Sequence, residues 1–319
     1  MDGRILITGG AGFIGTNLIE HALSNTNLKF LVLDNESVGR FEDLKKIAGF
    51  DEGRVELFKG DIRSMEDVEE AIDGCSIVVN LAAQTGVVPS IEDPRKDALV
   101  NIMGTLNLLE ASRKFGIKRF VQASSAAPLG EQDPPLHEGK LPGPLSPYGA
   151  SKLACEGYCS AYRGSFGLST VVLRFSNVYG RHSFKKGSVI AKFIKEGLSK
   201  RPLTIFGDGG QTRDFVYAGD LSQGILNVIF TTPQHSIYQL GTGVETSVNQ
   251  LVGILKDEFR KRELPELNVE HGPRLQGEIM RNYTDISLAM RELDYHPKME
   301  LKAGVGTTIE WFLNNRGNL

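Results

Sequence analysis

The chain has 319 residues, 40% hydrophobic and 24% charged, the make-up of a soluble globular protein too long for one small core. Its 36 basic and 39 acidic side chains leave a formal net charge of −3, so no electrostatic case exists for nucleic acid as a partner. No apolar run approaches the roughly 20 residues that span a bilayer, and no signal-peptide h-region precedes the first strand. Cys75, Cys155 and Cys159 are few, odd in number and not spaced for a metal or a redox pair. These features set the expectation of a cytoplasmic protein with no membrane contact and no metal.

In chain order, residues 4–8 (RILIT) read as a buried strand, followed by a glycine loop and a helix from Phe13 to about Leu23. Further strands are expected at 29–34, 54–59, 76–82, 119–124 and 170–175. Near-continuous apolar strands suit a parallel sheet covered on both faces, and their alternation with helices gives a doubly wound α/β sheet. The helix near 94–115 carries Leu99, Ile102, Met103, Leu106 and Leu109 at helical spacing. After Phe175 the pattern becomes less regular, with helices at 188–198, 220–230, 248–260 and 305–312 and short strands at 203–206 and 236–240. The expected division is 1–175, with 211–235 packing back on it, and a smaller interleaved lobe at 176–319.

Between the first strand and helix stands Thr8-Gly9-Gly10-Ala11-Gly12-Phe13-Ile14-Gly15. Glycines there let a pyrophosphate approach the backbone, and the helix N-terminus after them offers unpaired N–H groups and a positive dipole end. Asp34 ends the second strand, where a carboxylate accepts from an adenosine 2′-hydroxyl and repels a 2′-phosphate, which favours NAD over NADP. Asp61 and Ile62, after the third strand, either hold the adenine edge or, in the case of Asp61, simply form a turn. Tyr148 and Lys152 stand four residues apart at the start of a helix and so share one face. A fixed ammonium beside a phenol favours the phenolate, the form that acts as a general base.

Further motifs occur in order: Asp34-Asn35, Gly60-Asp61-Ile62, Leu81-Ala82-Ala83, Ala123-Ser124-Ser125-Ala126, Tyr148-Gly149-Ala150-Ser151-Lys152 and Leu173-Arg174-Phe175-Ser176-Asn177-Val178-Tyr179-Gly180. With the glycine loop, and with Ile205-Phe206-Gly207-Asp208-Gly209 and Thr212-Arg213-Asp214-Phe215 beyond, the chain resembles the extended short-chain dehydrogenase/reductases over nearly its whole length. Within that family it is similar to the NAD-dependent nucleotide-sugar epimerases and dehydratases. The resemblance implies a Rossmann-type doubly wound parallel sheet with a smaller α/β substrate-binding lobe, NAD as cofactor, a UDP-sugar as the ligand, and a homodimer formed through the helices near 94–115 and 148–163. It implies that Gly9, Gly12, Phe13, Ile14, Gly15, Asp34, Asn35, Asp61, Ile62, Leu81, Ala82, Ala83 and Lys152 hold the cofactor. Tyr148 would be the acid/base, Lys152 its partner, Ser125 the hydrogen-bond donor to the sugar oxygen, and Ser124 a residue on the nicotinamide side. Asn177 and Arg213 would meet the diphosphate and Phe206 the nucleobase.

The residues after Ser125 sort the reaction types. Dehydratases of the family carry an Asp-Glu pair there and uronate decarboxylases a glutamate, whereas Ala126 and Ala127 transfer no proton. What remains is 4-epimerisation through a 4-keto sugar or, as an alternative, NAD(P)H-dependent reduction of a 4-keto sugar; a non-catalytic NAD-sensing protein stands further off because Tyr148, Lys152 and Ser125 are all present. Pro128-Leu129-Gly130 departs from the family's Val-Tyr-Gly. An arginine of the last substrate segment falls at Leu275, with Arg274 beside it as the stand-in, and Asn282 replaces a bulky tyrosine near the sugar's C2 group. Arg181 and His182 either touch substrate or are solvated, Ser90 either meets the sugar or caps a helix, and Gln84 either approaches the cofactor or satisfies the loop backbone.

Overall fold

The computed structural model describes residues 3–274 and 279–315. Leu275 lies outside the described residues. The β-branched and leucine-rich runs of the first half form six parallel strands, β1 Arg4–Thr8, β2 Phe30–Asp34, β3 Val55–Lys59, β4 Cys75–Asn80, β5 Arg119–Ser125 and β6 Thr170–Phe175. A seventh, Ile237–Leu240, joins β6 in parallel, so the sheet runs Ile237–Leu240, β6, β5, β4, β1, β2, β3. Strand order reverses between β1 and β4, and in such a sheet the crevice beyond the carboxyl ends of these strands is the ligand site.

One face of the sheet is covered by the helix α1, Phe13–Asn25, and by helices Ala218–Phe230 and Ser287–Leu293, around Leu18, Leu221 and Leu293. The other face takes helices Met65–Ile72, Gly104–Lys114 and Pro147–Phe166, around Ile72, Leu108 and Cys159. Both faces are therefore dry, which is why the strands read as continuous apolar runs. The strand Ile237–Leu240 and helix Ala218–Phe230 belong to this sheet although their sequence lies among residues of the second lobe.

That second lobe has its own core, in which Ile190, Ile194, Leu251, Leu255, Ile309 and Phe312 pack between helices Val189–Leu198, Val248–Lys261 and Leu301–Asn314. A strand not foreseen from the sequence, Val269–Gly272, pairs in parallel with Leu203–Phe206. Its sequence, Val-Glu-His-Gly, has too little apolar patterning to announce a strand.

The helix expected near 94–115 contains a wide π turn, Leu99–Met103, between Pro94–Ala98 and Gly104–Lys114. The turn puts Asn101 inside and leaves Leu99 and Met103 exposed, so of the expected apolar stripe Leu106 and Leu109 are the members that pack on the core. Among the described residues no helix is long and apolar enough to cross a membrane, and no group of three His, Cys, Asp or Glu side chains is placed to hold a metal.

Candidate active site

The glycine loop leaves β1 at Thr8, and Gly9 takes a φ of +68°. A side chain on Gly9 would press on the Ala82 amide at 2.7 Å, and one on Gly15 would meet the Gly10 carbonyl oxygen at 2.6 Å. Both positions need glycine, the first for conformation and the second for close approach of α1 to its own loop. Gly12 is the N-cap of α1, and no side chain caps that end. The N–H groups of the first turn at Phe13 and Ile14 are thus offered to a ligand at the positive end of the helix, which fits a pyrophosphate.

Asp34 lies at the end of β2 with one carboxylate oxygen accepting from Ala11 N at 3.0 Å and the other from Glu36 N at 2.8 Å. Burial, opposed by these two bonds, raises its pKa from the ordinary carboxylate value. Each oxygen keeps a further lone pair for a ribose hydroxyl. Asn35 Nδ2 donates to Asp61 at 2.8 Å, and Arg63 takes the same carboxylate with two bonds of 2.9 and 2.7 Å. The Arg63 bond is the main reason that the Asp61 carboxyl is held well below its usual range. Ile62 is buried and packs where a side chain on Gly104 would stand. Leu81 N donates to Thr8 O at 3.1 Å and Ala82 N to Thr8 Oγ1 at 3.3 Å, which lays 81–83 along the glycine loop.

The helix Pro147–Phe166 starts at Ser146, whose hydroxyl accepts from Gly149 N at 3.1 Å, has Pro147 in its first turn and ends at Gly167 with φ +69°. Serine cap, early proline and left-handed glycine fix both ends. They place Tyr148 and Lys152 on one face, with Lys152 Nζ 5.9 Å from the centre of the Tyr148 ring. Lys152 is 4% exposed and donates to Ala123 O at 3.0 Å. That carbonyl ends a polar chain across the strand ends: Thr8 Oγ1 donates to Asn80 at 2.6 Å, Asn80 Nδ2 to Gln122 at 2.9 Å, and Gln122 Nε2 to Ala123 O at 2.9 Å. The glycine-loop strand and the lysine are therefore positioned by one continuous set of buried bonds.

Ser125, half-buried at the end of β5, accepts from Ala127 N at 3.2 Å. Ser124 is 3% exposed and donates to Glu156 at 2.6 Å, so its hydroxyl serves the seam between strand and helix. Ala127–Leu129 forms a single 3-10 turn, and Leu129 packs with Ala126 and Leu136 in a small cluster of its own.

In the second lobe two parallel pairings assemble the other expected residues. Asn177–Tyr179 pairs with Phe215–Tyr217, which brings the exposed Asn177 beside the segment of Arg213. Arg213 donates to Thr212 O at 2.7 Å and Ile279 O at 2.9 Å. Leu203–Phe206 pairs with Val269–Gly272, which sets Arg274 against Gly207, next to Phe206. Lys192 Nζ stands 5.4 Å above the Phe206 ring. Asn282 is half-buried with a buried Oδ1 that has no hydrogen-bond partner.

The residues left open by the sequence make these contacts within the protein. Ser90 is buried and donates to Val87 O at 2.7 Å, while Gln84 exchanges backbone bonds with the Asn101 side chain at 2.8 and 3.1 Å. Arg181 and His182 both contact Glu20 of α1. Sequence reasoning missed Glu156, Arg174, Asn101, Lys186 and Lys192. For two of them a signal was present: Glu156 stands one turn after Lys152, and Asn101 interrupts an apolar stripe.

The profile of the NAD dependent epimerase/dehydratase family matches residues 5–241. The chain belongs to that family. Its cofactor is NAD, and the glycine loop, the uncapped α1 and Asp34 are suited to hold it. A relative from Methanocaldococcus jannaschii is 39% identical over 98% of this chain and 99% of its own. The UDP-glucose 4-epimerase of Thermus thermophilus, solved with NAD, is 34% identical with a TM-score of 0.88 over 98% of this chain and 99% of that one. The UDP-N-acetylglucosamine 4-epimerase of Methanobrevibacter ruminantium, solved with UDP-N-acetylmuramic acid, is 28% identical with a TM-score of 0.89 over the same shares.

Proposed function

We propose that this family member epimerises a nucleotide sugar at C4 through a 4-keto intermediate, with a UDP-hexose or UDP-N-acetylhexosamine as substrate. The observation that carries the reading is the Tyr148–Lys152 pair, its lysine bonded to Ala123 two residues before Ser125, with two alanines after Ser125 where a second proton-transfer group would stand. One acid/base is sufficient for oxidation and re-reduction at a single carbon, whereas dehydration and decarboxylation need more.

In this reading bound NAD would supply the hydride acceptor and, once reduced, the hydride donor for the sugar carbon. Tyr148 takes the proton from the C4 hydroxyl and gives it back. Lys152 favours the phenolate and holds the nicotinamide ribose, and Ser125 donates to the sugar oxygen. Gly9, Gly12, Phe13, Ile14, Gly15, Asp34, Asn35, Asp61, Ile62, Leu81, Ala82 and Ala83 shape the cofactor side. Phe206, Arg213, Asn177 and Arg274 hold the nucleotide diphosphate, so the sugar is tethered at one end and free to present its other face.

A UDP-sugar is supported by the two solved relatives described above, a UDP-glucose and a UDP-N-acetylglucosamine 4-epimerase. Asn282, smaller than the tyrosine whose place it takes, supports room near the sugar's C2 substituent. A homodimer is supported by Leu99, Met103, Tyr158 and Phe166, all exposed on the helices proposed to pair; light scattering that finds only monomer defeats it.

The test is a proton NMR assay of the purified protein with UDP-glucose, UDP-N-acetylglucosamine and UDP-glucuronate, and NAD assayed in the denatured protein. A C4 epimer formed without net nicotinamide turnover is the expected result. Net consumption of NADH with a 4-keto sugar makes the protein a reductase, and no product from any of the three defeats the epimerase reading.

A further inference from the structure

After Tyr179 and Gly180 the chain crosses from the sheet to the cofactor helix as a strap, residues 181–186. Asn17 Nδ2 of α1 donates to Arg181 O at 2.9 Å, and Glu20 receives both Arg181 and His182, the latter at 3.1 Å. Burial opposes ionisation of Glu20, but His182 and Arg181 prevail and hold its carboxyl below the ordinary value. Lys185 pairs with Asp43 at 3.1 Å, and Phe184 stacks on Phe312 with ring centres 5.2 Å apart. Lys195 Nζ fastens the end of the strap by donating to Phe184 O at 3.0 Å and Lys186 O at 2.9 Å.

The side chain that this strap delivers is Lys186. Its ammonium lies 6.0 Å from the centre of the Phe13 ring, at the uncapped first turn of α1. Burial first and the Lys152 ammonium second push its amine below the ordinary value. Among the described residues no carboxylate pairs with it. The Lys186 ammonium thus stands at a bare helix N-terminus, close enough to the Lys152 ammonium to feel its charge, an arrangement that an anionic ligand stabilises.

We propose that Lys186 is a cofactor-binding residue that closes on the pyrophosphate of NAD from the substrate-lobe side, opposite the glycine loop. The substrate's diphosphate carries the same chemistry, but the cations divide between the two ligands. Lys192 stands over Phe206 at the nucleotide end of the substrate lobe, whereas Lys186 stands over the first residue of the cofactor helix. The assignment concerns the cofactor and holds whichever sugar is turned over.

The experiment measures binding of NAD and, separately, of UDP to the cofactor-free protein by calorimetry, for the wild type, Lys186→Met and Lys186→Arg. Methionine keeps the aliphatic stem over Phe13 and removes the charge. Loss of a charge-assisted hydrogen bond predicts NAD binding weaker by about 10- to 100-fold, with a shallower salt dependence, UDP binding within about twofold, and most of the loss restored by arginine. Weaker UDP binding with NAD unchanged, no change in either, or equal losses in both overturns the proposal. Should Lys186→Met fail to fold, Lys186→Gln carries the same comparison.

Discussion

Arg174 forks onto Glu156 across the buried seam between β6 and the helix of the Tyr148–Lys152 pair, with bonds of 2.9 and 2.6 Å and both side chains 3% exposed. Ser124 donates to the same carboxylate. Glu156 follows Lys152 by one turn, so this pair sets how that helix sits on the strand ends. Removal of one partner leaves the other charge buried, and Glu156→Ala is expected to lower unfolding free energy by about 3–5 kcal/mol. Urea unfolding measures it, and a loss below about 1 kcal/mol refutes the importance assigned to the pair.

Tyr148→Phe removes the proton-transfer group without disturbing the Ser146 cap or the Lys152 bond to Ala123. The rate constant kcat is expected to fall about a hundred- to ten-thousandfold. The melting temperature and the amount of NAD retained stay at wild-type values. A variant that turns over normally removes Tyr148 from the chemistry.

All three thiols are expected to be sluggish. Burial pushes Cys75 up to about 11 and raises Cys155 and Cys159 as well. The thiolate is the reactive form. At pH 8 a disulfide reagent is expected to label the native protein slowly and to titrate three thiols at once in denaturant. Rapid labelling of any native cysteine contradicts the packing described.

Glu245 gives the acid limb a specific origin. Its bidentate contact with Arg281, opposed by burial and assisted by Thr212, lowers its pKa from 4.5 to about 2. A depressed carboxyl contributes stability that is complete above 4.5 and disappears as pH falls through about 2. Wild type and Glu245→Gln are therefore expected to differ in urea midpoint at pH 6 and to converge near the lower value, with salt reducing the gap because Arg281 is exposed. A gap that does not change with pH rules this pair out as the cause.

Patterns that are local in sequence were legible. The Gly9–Gly15 loop, Asp34 at a strand end and the four-residue spacing of Tyr148 and Lys152 each depend on neighbours within one turn or one strand, and the crevice at β1 and β4 collects all three. Contacts between distant segments were not. Glu156 and Arg174 are 18 residues apart on different elements, and neither carries a pattern that names the other. Ile237–Leu240 looks like any short strand, and only its pairing with β6 makes it part of the first sheet. Arg181 and His182 read as loop charges because Glu20, their partner, precedes them by about 160 residues.

The strap has a consequence for the order of synthesis. The glycine loop is made about 300 residues before Trp311 and Phe312, against which the strap beside it is seated. A nascent chain that has completed β1 to β6 holds the whole glycine motif and lacks the ring stack that seats Phe184. The surface beside the glycine loop is therefore finished only when the helix Leu301–Asn314 is in place to seat the strap.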